Sequence, residues 1–237
     1  MNRKVNFVVG PQGALEASKR EDVCIVVDVL RASSSLIAAF MGNFLAIRLG
    51  DNRCYDIEPG VLAAGEWEGK KIDHFTYGNS PIALAQAAPD NAELMFFSTN
   101  GIPCIQACAE FKVPILIGAI INAQAVSRLA KEIASNKNKN ISIVLAGFHG
   151  ELEEDDLLAG SQIYRSGLQE YELISDYELL ENKGDMGQKL LQSPAGGRLA
   201  KLNSTDDVLY CAQQDITTLV PVFCHKTQKI ILNSGAY

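Results

Sequence analysis

Residues 23–35 read VCIVVDVLRASSS. The run is apolar at every position from Val23 to Val27, with no alternation of polar residues. Such a run suits a strand covered on both faces, as in parallel or mixed sheets. Asp28 closes it, Arg31 follows, and three serines lead into a helical pattern over 33–41. Outward from this stretch, β-branched runs recur at 5–9, 44–49, 94–98, 115–118, 141–145, 220–224 and 229–232. Helical patterns alternate with them at 80–87, 123–135, 155–168, 177–191 and 206–214. The first of these begins Ser80-Pro81, a cap followed by a proline at the first helical position. The alternation predicts a layered α/β fold. The polar stretch 135–140 (SNKNKN) reads as a solvated turn. The stretch 192–204, with Pro194, Gly196 and Gly197, reads as a connector between two helices.

The 237 residues suit one α/β unit spanning 1–237, or two subdomains, approximately 1–120 and 121–237, with the site between them. The hydrophobic fraction of 47% is enough for a sizeable core. With 21 Lys+Arg against 28 Asp+Glu the net charge is −7, which argues against binding nucleic acid or an anionic membrane surface. An anionic substrate must then be drawn in by local arginine and a metal. The six cysteines, at 24, 54, 104, 108, 211 and 224, form no Cys-x-x-Cys pair and several sit in apolar runs, so buried reduced thiols are expected. The opening MNRKVNFVVG has too short an apolar stretch for a signal peptide, and the most apolar segment, 113–121, is half the length of a membrane span. A cytoplasmic protein is expected; homo-oligomerisation is left open.

Four polar clusters interrupt the apolar pattern at strand ends, where ligands bind in α/β sheets. The first is Asp28 to Ser35. A helix N-terminus preceded by a carboxylate and a guanidinium suits a phosphate, with Asp28 as metal ligand or nucleophile and Arg31 forking onto oxygens. An Asp–Arg pair with serine capping explains the same residues as well. The second is Gly78-Asn79-Ser80-Pro81, which alone is an ordinary capped turn. The third is Ser98-Thr99-Asn100-Gly101, a candidate anion cradle or a simple Asn-Gly turn. The fourth is Ala146-Gly147-Phe148-His149-Gly150, followed by Glu151, Glu153, Glu154, Asp155 and Asp156. Acids favour a first helical turn, but five within six residues exceed what capping needs, and magnesium takes one or two carboxylates while keeping waters. His149 is a minority candidate for proton donor; His74 and His225 carry less weight. No zinc spacing, dinucleotide fingerprint, P-loop or nucleophile elbow is present.

In order and spacing, VVDVLRASSS, AAGE, GNSP, STNG, AGFHG with its following acids, and DDVLYCAQQDITTLVPVF together resemble the 2-phosphosulfolactate phosphatase (ComB) family over nearly the whole chain. The resemblance implies a three-layer α/β/α fold with a mixed, mostly parallel sheet, and magnesium-dependent hydrolysis of phosphosulfolactate in coenzyme M synthesis. It implies Asp28, Arg31, Glu66 and Asn100 as catalytic residues. Ser33, Asn79, Ser80, Thr99, Gly101, Gly147, His149 and Gly150 are implied around the substrate, and Asp28, Glu154 and Asp155 as Mg2+ ligands. Two positions depart from the family pattern: Trp67 and Pro103 stand where arginines are usual. Losing two guanidinium groups weakens recognition of an oxyanion-rich ligand. The expectation is therefore a magnesium-dependent phosphatase for a small phosphorylated hydroxy acid. Two alternatives accompany it: a catalytically weak relative that binds a phosphorylated metabolite, and a phosphatase with another substrate that packs on Trp67.

Overall fold

The computed structural model describes residues 3–51, 55, 57–67, 69–181 and 183–233. Cys54 lies outside them. The apolar run becomes β2 (Val23–Val27), buried at every residue. Its neighbours are β9 (Ile141–Leu145) and β8 (Ile115–Ile117), both parallel to it. Ile25 pairs with Leu116 on one side and Ile143 on the other. Each such fully buried aliphatic side chain contributes about 1.5–3 kcal/mol of burial, so the centre of the sheet is a rigid platform from which loops project.

The remaining strands are β1 (Lys4–Val9), β3 (Ala46–Leu49), β4 (Leu62–Ala64), β7 (Glu93–Phe96), β10 (Glu172–Ile174), β11 (Pro221–Cys224) and β12 (Lys229–Leu232), with a separate hairpin of β5 (Glu66–Trp67) and β6 (Lys70–Lys71). The large sheet has the order β10-β1-β9-β2-β8-β11-β12-β3-β7-β4. Five parallel strands form one block, β10 to β8, and β3, β7 and β4 form a second. The antiparallel hairpin β11–β12 joins the two blocks. The sheet is thus mixed and mostly parallel, and helices cover it in a three-layer α/β arrangement. Strands from both sides of residue 120 alternate within it.

The helices are α1 (Gly10–Lys19), α2 (Ala32–Met41), α3 (Pro81–Ala85), α4 (Gly101–Ala109), α5 (Ala123–Lys137), α6 (Glu154–Arg165), α7 (Met186–Gln192), α8 (Pro194–Lys201) and α9 (Thr205–Cys211). The pair α1–α4 packs on β2, as does the pair α5–α6. Helix α3 starts as expected, with Ser80 Oγ accepting from Ala83 N at 3.2 Å. Helix α5 runs two residues beyond expectation and stops at Asn138, which takes the left-handed conformation common at helix C-termini.

Three expectations are corrected. Helix α1 was not anticipated. Its buried residues, Gly10, Ala14, Ala17 and Ser18, are too small to form a visible apolar stripe. The helix expected over 177–191 begins only at Met186, capped by Asp185. Upstream, Leu180 N donates to Ser161 Oγ at 3.1 Å and Leu180 O accepts from Arg165. That backbone spends its hydrogen bonds on α6 side chains instead of on itself. Finally, the connector at 192–204 contains α8, started by Ser193, whose Oγ accepts from Gly196 N at 3.1 Å. Two glycines argue against a helix at about 1 kcal/mol each. Gly196 is nevertheless needed, because a Cβ there would lie 1.8 Å from Leu190 O, where α7 and α8 meet.

Cys24, Cys104, Cys108 and Cys211 are buried free thiols and Cys224 is a partly exposed one. Among the described residues no helix is long and apolar enough to cross a membrane.

Candidate active site

The loops after β2, β7 and β9 converge. Asp28, one residue past β2, is 8% exposed. Its carboxylate accepts from Ala32 N at 3.2 Å and from Ser98 Oγ at 3.3 Å, which ties the start of α2 to the loop after β7. Gly101 lies so close that a Cβ there would sit 2.8 Å from Asp28 Oδ2. From the first turn of α6, Asp156 reaches back: its Oδ1 accepts from Val29 N and its Oδ2 from Gly147 N, each at 2.8 Å. Gly147 holds φ +63°, and a Cβ there would strike Glu151 O at 2.0 Å, so only glycine closes this turn.

Three carboxylates are thereby crowded together. Burial pushes Asp28 up to about 6, and the Glu66 carboxylate adds to the rise. Burial also pushes Asp155 up to about 7, reinforced by Glu153 and Asp28. Asp156 is held well above the usual carboxylate range by burial and then by Asp155 and Asp28. Among the described residues, Asp155 Oδ1 is buried without a hydrogen-bond partner. Glu154, by contrast, is exposed in the first turn of α6. No group of three or more His, Cys, Asp or Glu side chains among the described residues is arranged to hold a metal. What the site offers instead is a carboxylate pair, Asp28 and Asp155, with one free buried oxygen and mutual repulsion. That set suits a hard divalent cation completing its shell with water.

Arg31, 5% exposed, sits beside this group. Its Nη1 donates to Asp207 Oδ2 at 2.6 Å and its Nη2 pairs with Glu66. Burial works against the charged guanidinium, but Glu66 and Asp207 outweigh it and keep it protonated. Asp207 also accepts from Ser80 Oγ at 2.6 Å. Arg31, Glu66, Asp207 and Ser80 thus join four separate segments. Both Nη groups of Arg31 are already engaged; Nε has no partner among the described residues.

A cleft of about 410 Å3 opens beside these residues; Glu66 reaches it from the clamp, and Leu30, Thr99, Asn100 and His149 line it as well. Asn100 Oδ1 accepts from His149 N at 3.4 Å, linking the turns after β7 and β9. The other expected residues serve the frame. Ser33 Oγ accepts from Asp28 N and donates to Val26 O. Asn79 is buried, with Nδ2 donating to Phe97 O at 3.4 Å and Oδ1 unpartnered among the described residues. Gly101 N donates to Ser98 Oγ. Gly150 holds φ +85° beside Gly10. Trp67 lines the cleft, whereas Pro103 stands at the third position of α4.

Sequence reasoning passed over Asp156, Asp207, Ser98 and Arg198. The first three belonged to stretches already quoted. Arg198 went unnoticed because α8 was read as a connector. It lines the cleft, pairs with Glu153 at 2.9 Å and lies 4.7 Å over the Phe148 ring.

The family model described as 2-phosphosulpholactate phosphatase matches residues 11–226. A "Probable 2-phosphosulfolactate phosphatase" of Deinococcus radiodurans is 31% identical over 87% of this chain and 90% of its own length. One of the same name from Clostridium botulinum is 26% identical over 93% of this chain and 96% of its own. The "2-phosphosulfolactate phosphatase" of Methanothermobacter thermautotrophicus is 27% identical over 89% of this chain and 90% of its own. The family match takes in the central strands, the converging loops and the cleft wall, and the chain accordingly belongs to the 2-phosphosulfolactate phosphatase family, a family of phosphoric monoester hydrolases.

Proposed function

We propose that the cleft hydrolyses the phosphate monoester of a small hydroxy acid, the class to which 2-phosphosulfolactate belongs, with Mg2+ bound by Asp28 and Asp155. The observation that carries this reading is the unpartnered buried oxygen of Asp155, whose proton affinity the Asp28 carboxylate helps to raise. A hard cation relieves that repulsion, and magnesium is satisfied by two carboxylates plus water and phosphate oxygens. Bound there, it would supply charge neutralisation and orientation for the phosphoryl group.

The chain's own residues do the rest. Thr99 and Asn100, at the N-terminal end of α4, hold phosphoryl oxygens, since a helix N-terminus favours an anion. Arg31 stays charged because Glu66 and Asp207 flank it, and its clamp fixes Glu66, Asp207 and Ser80 beside the cleft. Asp156 keeps the two loops in register through Val29 and Gly147. The attacking oxygen, from water or from Asp28, forms a bond to phosphorus as the ester P–O bond breaks; where Asp28 attacks, water then cleaves the aspartyl phosphate and releases inorganic phosphate. His149, exposed at the cleft, protonates the departing alcohol oxygen.

The test is steady-state turnover of phosphorylated hydroxy acids with Mg2+. Asp28→Asn is expected to lower kcat by about 10²-fold or more, the scale of losing a preorganised electrostatic group. Full turnover together with undiminished metal affinity in that variant would remove Asp28 from the mechanism.

A further inference from the structure

One wall of the cleft, built from the β5–β6 hairpin, the loop after β9 and the α8 region, is largely apolar. Trp67, on β5, is 55% exposed and Phe148, in the loop after β9, is 40% exposed, and both face the same space. Leu199 of α8 and Leu202, just past its end, extend that surface. The wall is closed at one end, because a Cβ on Gly69 would come within 2.4 Å of Leu202 Cδ1 where the β5–β6 hairpin meets α8.

Among the described lining residues Arg198 is the one Lys or Arg. Its charge is committed: Nη1 and Nη2 donate to the two Glu153 oxygens at 3.3 and 2.9 Å, and its flat face covers Phe148. Glu66 is the one carboxylate among the described lining residues. A second strongly hydrated anion on the substrate would lose water here and meet rings, leucines and a carboxylate without an unpaired cation. An apolar or aromatic substituent would gain by covering Trp67 and Phe148.

We propose that this cleft selects phosphate monoesters whose organic part ends in an apolar or aromatic group, lodged against Trp67 and Phe148, rather than in a sulfonate. This rests on the phosphatase reading for the phosphoryl end and concerns the opposite end of the same ligand. A cleft of about 410 Å3 has the size of ordinary small-molecule sites.

Trp67 is the chain's sole tryptophan, so its fluorescence reports on this wall directly. Three ligands sharing a 2-phospholactate skeleton, bearing hydrogen, sulfonate or phenyl at C3, are compared as esters for kcat/KM. Their hydrolysis-resistant phosphonate analogues are compared for binding. The phenyl analogue is expected to bind at least tenfold more tightly than the sulfonate and to shift Trp67 emission to shorter wavelength. Trp67→Ala is expected to reduce the phenyl-to-hydrogen ratio of kcat/KM by tenfold or more. Equal or tighter binding of the sulfonate, or phenyl binding that leaves Trp67 emission unmoved, overturns the proposal. Hydrolysis of the sulfonate ester in preference would do so while leaving the phosphatase reading standing. Phenyl-selective binding with no hydrolysis of any ester would uphold this inference and sink that reading instead.

Discussion

Asp207 is the residue at which the architecture around Arg31 is most exposed to challenge. It is 6% exposed and accepts two hydrogen bonds, one from Arg31 Nη1 and one from Ser80 Oγ, both at 2.6 Å. Truncation in Asp207→Ala removes one of the two carboxylates around a 5% exposed guanidinium and strips the Ser80 hydroxyl of its acceptor. Breaking one side of a buried pair costs about 3–5 kcal/mol, because the surviving charge stays out of water. Glu66, 21% exposed as a side chain, continues to compensate part of the charge, which favours the lower end. In a chain of this size each kcal/mol lowers Tm by about 2–4 °C, so a fall of roughly 6–12 °C is expected. Calorimetry at neutral pH measures it, and Arg31→Met supplies the control. If the loss comes from a stranded guanidinium, Asp207→Ala in the Arg31→Met background costs at least about 1 kcal/mol less than in the native chain, the scale of coupling between contacting residues. A fall under about 2 °C, or strict additivity of the two substitutions, would refute the clamp.

Two further outcomes follow from the loops. Asp28 and Asp155 have folded-state pKa values of about 6 and about 7, above their ordinary range near 3.8. Raised carboxyl values mean that the fold binds protons more tightly than the unfolded chain, so this stability is full below about pH 4 and is lost as pH rises towards 7. With chelator present, Tm should decline across that window, and added Mg2+ should restore more at pH 8 than at pH 5; a Mg2+ response independent of pH contradicts the carboxylate pair. Gly147→Ala forces a left-handed backbone on alanine and drives its Cβ to 2.0 Å from Glu151 O. The backbone strain alone costs about 1–3 kcal/mol, and a denaturant midpoint equal to that of the native chain would contradict the turn geometry.

How much of this was legible beforehand can be followed residue by residue. Val23 to Val27 announced a two-sided strand because five consecutive apolar side chains cannot alternate with water. Ser80-Pro81 announced a helix start because capping is local chemistry. The breaks at Asp28, Asn100 and Asp155 marked loops at strand ends. Helix α1 stayed hidden behind small residues, and α8 behind two glycines, of which Gly196 is required by its contact with α7.

The sequence by itself determined the layered α/β class, the rough positions of the central strands and the order of the polar turns, since periodicity and capping depend on neighbours within a few residues. Only the tertiary structure decided that Arg31 spends its fork on Glu66 and Asp207, that Asp156 bridges two loops, and that Trp67 and Arg198 share a cleft wall. Apart from Asp156 with Gly147, nine positions away, those pairings join residues 35 to 176 positions apart, and no local pattern encodes a contact that exists only once the sheet has brought its loops together.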